Sequence, residues 1–239
     1  MENHTNPFLS IVIPAYNEER RIEGTIDSIN GYLSKQSYTF EIIIVDDGSN
    51  HSLPDIINQR YRNQPNIRFI RNPKNTGKGF AVMLGVLNAK GRNILFSDAD
   101  LSTPIEEVEK LLPYLERGYH ISIGSRGLAD SRIEIHQGWL RETMGKVFNI
   151  LVQILLLRGL SDTQCGFKCF RKDAAYSLFS RQRIYGFCFD VEILYLAKKS
   201  GYRIKEIPIR WKNSVPSKLN PIWHSLQMFL DLLKIRLGL

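Results

Sequence analysis

Five short apolar runs, separated by segments of helical character, set the strongest limit on how this chain folds. They are LSIVI (9–13), FEIIIV (40–45), IRFI (67–70), NILF (93–96) and YHISI (119–123). Between the first two, Ile22, Ile26, Ile29 and Leu33 recur at helical spacing within Glu18 to Leu33. Residues 54–61, 79–89 and 105–115 also read as helices, the last with Pro104 at its start. The strands are continuously apolar rather than alternating, so they need cover on both faces. That predicts an α/β fold: a mostly parallel sheet flanked by helices.

In such sheets ligands bind beyond the carboxyl ends of the strands. The residues expected there are PAYNE (14–18), DDGS (46–49), SDAD (97–100) and GSR (124–126). Four strand ends thus present polar or charged groups to one rim. Neither G-x-G-x-x-G nor G-x-x-x-x-G-K-[ST] occurs, which removes the main support for a dinucleotide fold or a P-loop.

The second half has a different pattern. Trp139 to Leu157 reads as a long helix with an apolar stripe, Ser161 to Lys168 as a polar turn, and Phe189 to Lys199 as a helix. A strand-like run follows at 203–209. The tail, 221–237, is an amphipathic helix carrying Trp223, Leu226, Phe229, Leu230, Leu233 and Leu237. With 239 residues, 43% hydrophobic and 23% charged, the chain is long enough for a single core, and one domain over 1–239 is expected.

The net charge of +8 favours anionic partners, but no arginine-rich run or zinc-finger spacing points to nucleic acid. Three cysteines, Cys165, Cys169 and Cys188, build no disulfide framework and read as reduced thiols of a cytosolic protein. No signal peptide opens the chain, and no apolar stretch reaches the roughly 20 residues that span a bilayer.

Asp98 and Asp100 form a D-x-D at a strand end. The pair reads either as a capped turn or as a site for Mg²⁺ or Mn²⁺, which takes one or two carboxylates plus substrate phosphates. The neighbouring Asp46 and Asp47 favour the second reading, although Asp47-Gly48 also suits a simple turn. Tyr16 and Glu18 are candidates to flank a base, or a helix start. Lys78, in NTGKG (75–79), faces phosphate or merely opens a helix. Arg126, Arg141, Lys168 and Lys218 are candidate phosphate binders or solvated surface cations. Asp190 and Glu192 open a helix, either as dipole partners or facing the reaction site.

With these residues assembled, the chain resembles family 2 glycosyltransferases of the GT-A fold. The matching stretches are VIPAYNE (12–18), VDDGS (45–49), NTGKG (75–79), SDADLS (97–102) and GSR (124–126). DTQCGFKCF (162–170), FDVEILY (189–195), Trp211 and SKLNPIWHSLQM (217–228) resemble polyprenyl-phosphate sugar transferases, most strongly the dolichyl-phosphate β-glucosyltransferases. Mannosyltransferase relatives match less well around 162–168.

The resemblance implies a UDP-glucose donor and a polyprenyl-phosphate acceptor, with a β-linked lipid-phosphate glucose as product. It implies a donor base near Pro14, Tyr16, Glu18, Asp46 and Asp47, and a diphosphate near Lys78, Asp98 and Ala99. Metal would sit on Asp98 and Asp100, with Ser102 standing where the mannosyltransferase relatives carry a metal-binding Gln. The acceptor phosphate would meet Arg126, Arg141, Lys168 and Lys218, and Asp190 is the fallback base. Residues 8–126 would form the donor half and 127–239 the acceptor half. A lipid acceptor places the enzyme peripherally at the cytoplasmic face of a membrane, with helices 139–157 and 221–237 either in the interface or packed on the core. The rivals are transfer of mannose or another sugar from GDP-mannose or another UDP-sugar to a polyprenyl phosphate, and a non-catalytic nucleotide-binding or membrane-adaptor module.

Overall fold

The computed structural model describes residues 6–50, 53–135, 139–213 and 221–238. A seven-stranded sheet forms the centre. Its strands are β1 (Leu9–Ala15), β2 (Phe40–Asp47), β3 (Ile67–Asn72), β4 (Asn93–Ser97), β5 (Ile121–Ser125), β7 (Phe167–Arg171) and β8 (Ile204–Pro208), in the order β3-β2-β1-β4-β7-β5-β8. β3, β2, β1 and β4 run parallel, as do β5 and β8, while β7 is antiparallel to both its neighbours. β6 (Arg132–Ile135) and β9 (Arg210–Lys212) form a separate two-stranded ribbon.

The apolar runs are continuous because two cores need them. Ile11, Ile13, Ile42 and Ile44 face one side, toward α1 (Ile22–Leu33), α2 (Leu53–Tyr61) and α4 (Val108–Glu116). Val12, Ile43 and Val45 face the other, toward α3 (Lys78–Asn88), α5 (Trp139–Leu155), α6 (Lys172–Phe179), α7 (Phe189–Lys199) and α8 (Pro221–Leu237). Alternation of side chains across the sheet splits one apolar run between the two cores.

The chain leaves β1 toward β2 on one side and returns to β4 on the other. The sheet's switch point, where such folds open a crevice, therefore lies between β1 and β4. Tyr16 follows β1 and Asp98 follows β4, so the two flank that crevice.

Three expectations change. Residues 161–168 are not all turn: Phe167 and Lys168 begin β7, which threads between β4 and β5. The lysine concealed the strand, because a charged residue argues against a central strand unless it is paired. α6 and the β6–β9 ribbon were not anticipated. The expected helix over 105–115 is a 3₁₀ turn (Ile105–Glu107) followed by α4.

The two cover helices of the second half bury one stripe and expose another. Val152 of α5 and Leu232 and Ile235 of α8 enter the core, while Val147, Ile150, Ile154, Leu230 and Leu237 stand exposed. Core packing and an uncovered apolar face therefore coexist on both. Among the described residues no helix is long and apolar enough to cross a membrane.

α3 approaches the sheet closely at Gly85, where an added Cβ would collide with Val12 and lie 2.8 Å from Val45 Cγ2. Gly85→Val is expected to lower unfolding free energy by about 1–3 kcal/mol, as overpacking does, measured by urea denaturation.

Candidate active site

The loop after β4 is held from three directions. The Asp98 N–H donates to the Gly166 carbonyl at 3.1 Å. Thr25 Oγ1, from α1, donates to the Ala99 carbonyl at 2.6 Å, and the Ala99 side chain packs into the core. Leu101 takes a positive φ of 47°, and the Ser102 N–H donates to Asp100 Oδ1 at 2.9 Å. The inward Ala99 leaves Asp98 and Asp100 on the outer side of the loop, both half-buried.

Gly166 is the floor beneath Asp98, since an added Cβ there would fall on the Asp98 carboxylate. Gly166 belongs to DTQCGFK, but spacing alone does not reveal that this glycine abuts a residue 68 positions away.

Around Asp98 the charges alternate. Lys78, the first residue of α3, places Nζ 2.6 Å from Asp98 Oδ1. Burial by itself lowers the pKa of this ammonium, but the Asp98, Asp190 and Asp100 carboxylates outweigh it and hold the pKa raised. Lys168 sits in β7 with Nζ 2.6 Å from Asp190 Oδ1 and 2.5 Å from the Cys165 carbonyl, almost wholly buried. Burial raises the Asp190 carboxyl pKa, opposed by Lys168 and Lys78. Arg126, just past β5, grips Asp162 with Nε at 2.6 Å and Nη2 at 2.9 Å, and lies over the Trp211 ring at 5.4 Å. Burial works against both charges, but each keeps the other ionised: the Arg126 pKa is raised and the Asp162 pKa lowered. The Ser161 and Asp162 N–H groups donate to Glu206 at 2.8 and 2.9 Å, which anchors this loop to β8.

The loops after β1 and β2 are stitched together. The Asn17 N–H donates to Ser49 Oγ at 2.9 Å, and the Asn50 N–H to Asn17 Oδ1 at 3.1 Å, with Asn17 at a positive φ of 54°. Tyr16 is exposed above this junction and Pro14 is half-buried beneath it. Glu18 pairs with Arg21 at 2.8 Å. Asp46 is fully buried, with Oδ1 accepting from the Ser49 N–H at 2.9 Å and Oδ2 3.6 Å from Arg71 Nε.

The rim is thus a shallow trough. An exposed aromatic and a buried carboxylate lie at one end, a half-buried carboxylate pair in the middle, and a guanidinium at the other. That arrangement suits an elongated ligand with a planar head and an anionic centre that arrives with a divalent cation. The sequence model of the family described as Glycosyl transferase family 2 matches residues 10–179, which takes in Tyr16, Asp46, Asp98, Asp100 and Arg126. The chain belongs to glycosyl transferase family 2.

Its relatives sharpen the likeness. A dolichyl-phosphate beta-glucosyltransferase of Dictyostelium discoideum is 38% identical over 97% of this chain and 74% of its own length. One from Homo sapiens is 37% identical over 96% of this chain and 75% of its own length. Among solved structures, glucosyl-3-phosphoglycerate synthase from Mycobacterium tuberculosis, in complex with Mn²⁺, UDP and glucosyl-3-phosphoglycerate, superposes with a TM-score of 0.72 at 20% identity. It covers 98% of this chain and 81% of that one. At that identity the likeness speaks for the fold, which is the expected GT-A fold.

For this family 2 member, the geometry revises several expected roles. Asp47 is not offered to a ligand: it accepts from Asn72 Nδ2 at 2.8 Å and from the Gly77 N–H at 2.7 Å, and also takes the Thr76 N–H. It ties the β2 end to the loop before α3. Lys168 is not a surface phosphate binder, because Asp190 and a carbonyl consume its ammonium inside the sheet. For the same reason Asp190 is no free base. Ala99 offers no side-chain contact, since it faces the core. Arg126 keeps a place at the rim, but its Nε–Nη2 edge is spent on Asp162. Glu192 turns from the site and accepts from the Arg183 and Ile184 N–H groups. Lys218 and the Arg141 side chain lie outside the described residues.

Among the described residues no group of three or more His, Cys, Asp or Glu side chains gathers for a metal. The donor set is two half-buried carboxylates, and Ser102 is buried with its N–H on Asp100. Two carboxylates fit Mg²⁺ or Mn²⁺ completed by ligand phosphates and water, and not an all-protein cage.

Gly166→Ala is expected to displace the Asp98 carboxylate and remove nucleotide binding while leaving the circular dichroism spectrum unchanged. Lys168→Met or Asp190→Asn alone strands a buried charge and is expected to cost about 3–5 kcal/mol in denaturant unfolding. The double substitution to Met and Leu should cost much less.

Proposed function

We propose that the chain is an inverting glucosyltransferase that moves glucose from UDP-glucose to a dolichyl-type polyprenyl phosphate, giving a β-linked lipid-phosphate glucose. The observation that carries this reading is its likeness, over nearly its full length, to dolichyl-phosphate beta-glucosyltransferases at 34–38% identity. The trough supplies the chemistry such a reaction needs.

In this reading the donor base lies against Tyr16, with Pro14 beneath it and Glu18 at its polar edge, while the expected contact from Asp46 gives way to a buried role, holding the Ser49 turn below the base. Asp98 and Asp100 hold a divalent cation. When bound, that cation neutralises charge building on the departing diphosphate. Both Mg²⁺ and Mn²⁺ accompany UDP in solved glucosyl-3-phosphoglycerate synthase. Arg126, fixed by Asp162, turns its remaining N–H groups to the acceptor phosphate, with Arg141 and Lys218 as further candidates.

A phosphate oxygen of the acceptor attacks the anomeric carbon opposite UDP. The new C–O bond forms as the bond to UDP breaks, and its electron pair leaves with the diphosphate. A phosphate is already an anion near neutral pH, so no general base is required. The Lys168–Asp190 pair accords with that: the carboxylate beneath the site is bonded to an ammonium rather than aimed at a substrate proton. Catalysis rests on positioning two anions and balancing their charge.

Residues 8–126 serve the donor and 127–239 the acceptor, although β7 from the second half sits inside the common sheet. A lipid acceptor calls for contact with a bilayer. The exposed apolar side chains of α5 and α8 support a peripheral location there, on the cytoplasmic side where nucleotide sugars reside. A cavity of about 410 Å³ between the 75–77 loop, Tyr185 and Met228 of α8 links that helix to the Lys78 loop.

Incubation with radiolabelled UDP-glucose, dolichyl phosphate and Mg²⁺ or Mn²⁺ is expected to yield lipid-extractable label, with little from GDP-mannose. Asp100→Ala should lower the rate roughly 10²-fold or more, the scale for losing preorganised charge stabilisation. Label from GDP-mannose alone would reassign the donor, and vesicle binding without turnover would leave only an adaptor.

A further inference from the structure

The ion pair between Lys78 and Asp98 does not fit a lysine that simply waits for phosphate. Its ammonium rests 2.6 Å from Asp98 Oδ1, on the carboxylate that would hold a metal. Both ends of the contact are built. Asp98 is fixed by its N–H on the Gly166 carbonyl and by the lack of a side chain at Gly166. The start of α3 is fixed by Asp47 on the Gly77 N–H at 2.7 Å. Side chains are excluded at Gly77, which has a φ of 117° and abuts the Tyr185 carbonyl, and at Gly79, whose added Cβ would lie 2.7 Å from Phe189 Cβ. With both backbones held, the soft coordinate is the lysine side chain itself.

The other two cations of the network are placed differently. Lys168 is almost wholly buried with two oxygens on its ammonium, and Arg126 is bidentate on Asp162. The Lys78 side chain is 24% exposed, and its ammonium sits beside the half-buried Asp98. Lys78, Lys168 and Arg126 pair with Asp98, Asp190 and Asp162, and Asp100 adds a fourth carboxylate. A divalent cation arriving alone at Asp98 and Asp100 must displace the ammonium from Asp98 and leave both positive centres sharing the same carboxylates. A diphosphate arriving with the metal gives the ammonium a new partner.

We propose that Lys78 is an internal stand-in for the metal, which occupies Asp98 in the free protein and transfers to the donor diphosphate when metal and nucleotide bind together. This rests on Asp98 being a metal ligand, as in the function proposed above. The exchange couples the two ligands, and by linkage each raises the affinity of the other by the same factor. Free metal is held weakly, and metal is recruited chiefly with the nucleotide sugar.

The test is Mn²⁺ binding to the full chain, followed by electron paramagnetic resonance, with and without UDP. The comparison is wild type, Lys78→Met, and Lys74→Met, which removes an equal charge from an exposed residue of the same loop. In wild type, UDP is expected to raise Mn²⁺ affinity by a factor within the usual coupling range of about 5- to 150-fold. In Lys78→Met, Mn²⁺ alone should bind tighter than in Lys74→Met, and the enhancement by UDP should shrink. UDP alone, measured by calorimetry, should bind more weakly to Lys78→Met. Lys78→Arg, which keeps a cation at Asp98, should retain the coupling and guards against loss of fold. Equal Mn²⁺ affinity and equal enhancement in the two Met variants would overturn the stand-in role while leaving the metal site intact. Absence of Mn²⁺ binding to wild type, with or without UDP, would overturn the metal site itself.

Discussion

The buried pair between Lys168 and Asp190 is the contact on which the site's arrangement depends. A buried lysine near the start of a central strand carries a desolvation cost of several kcal/mol, which only a partner at hydrogen-bond distance offsets. That partner comes from the first turn of α7, so β7 and α7 are locked together at the strand ends. Once β7 is placed between β4 and β5, Gly166 lies under Asp98 and Asp162 beside Arg126. Both flanks of the trough therefore follow from a single strand that runs against its neighbours.

Close approach gives the second constraint. Gly85 lets α3 settle on β1 and β2, Gly79 lets it meet the start of α7, and Gly166 lets the D-x-D loop sit on β7. Each contact brings a polar terminus to within reach of the next. The resulting alternation of charge keeps Arg126 and Asp162 ionised although burial opposes both. The Arg126–Asp162 flank prepared in this way meets an anionic ligand with little rearrangement of its own charges, which is the physical content of preorganisation.

Much of the first half was readable from residue order. LSIVI and FEIIIV are buried on both faces, and no other common arrangement accommodates such runs between helices. Asp98 and Asp100 follow the end of β4, as residue order implies, because the strand before them is short and unambiguous. The roles of Asp47 and Lys168 were not readable. Asp47 resembles Asp46 in sequence, yet only the returning loop at 76–77 decides that its oxygens are filled by backbone N–H groups. Lys168 resembles a surface cation until Asp190, 22 positions later, is found against it.

Local pattern by itself determined the α/β class, the parallel sheet, the rim of polar strand ends and the likeness to family 2 glycosyltransferases. These depend on side-chain periodicity and on short motifs, both properties of neighbours in the chain. The tertiary structure alone decided which charged groups stay available to a ligand. Availability depends on pairing, and every decisive pair here joins residues far apart: Lys78 with Asp98, Arg126 with Asp162, Lys168 with Asp190. An ion pair in a dry interior is set by where the strands cross, and that is information no single segment of the chain contains.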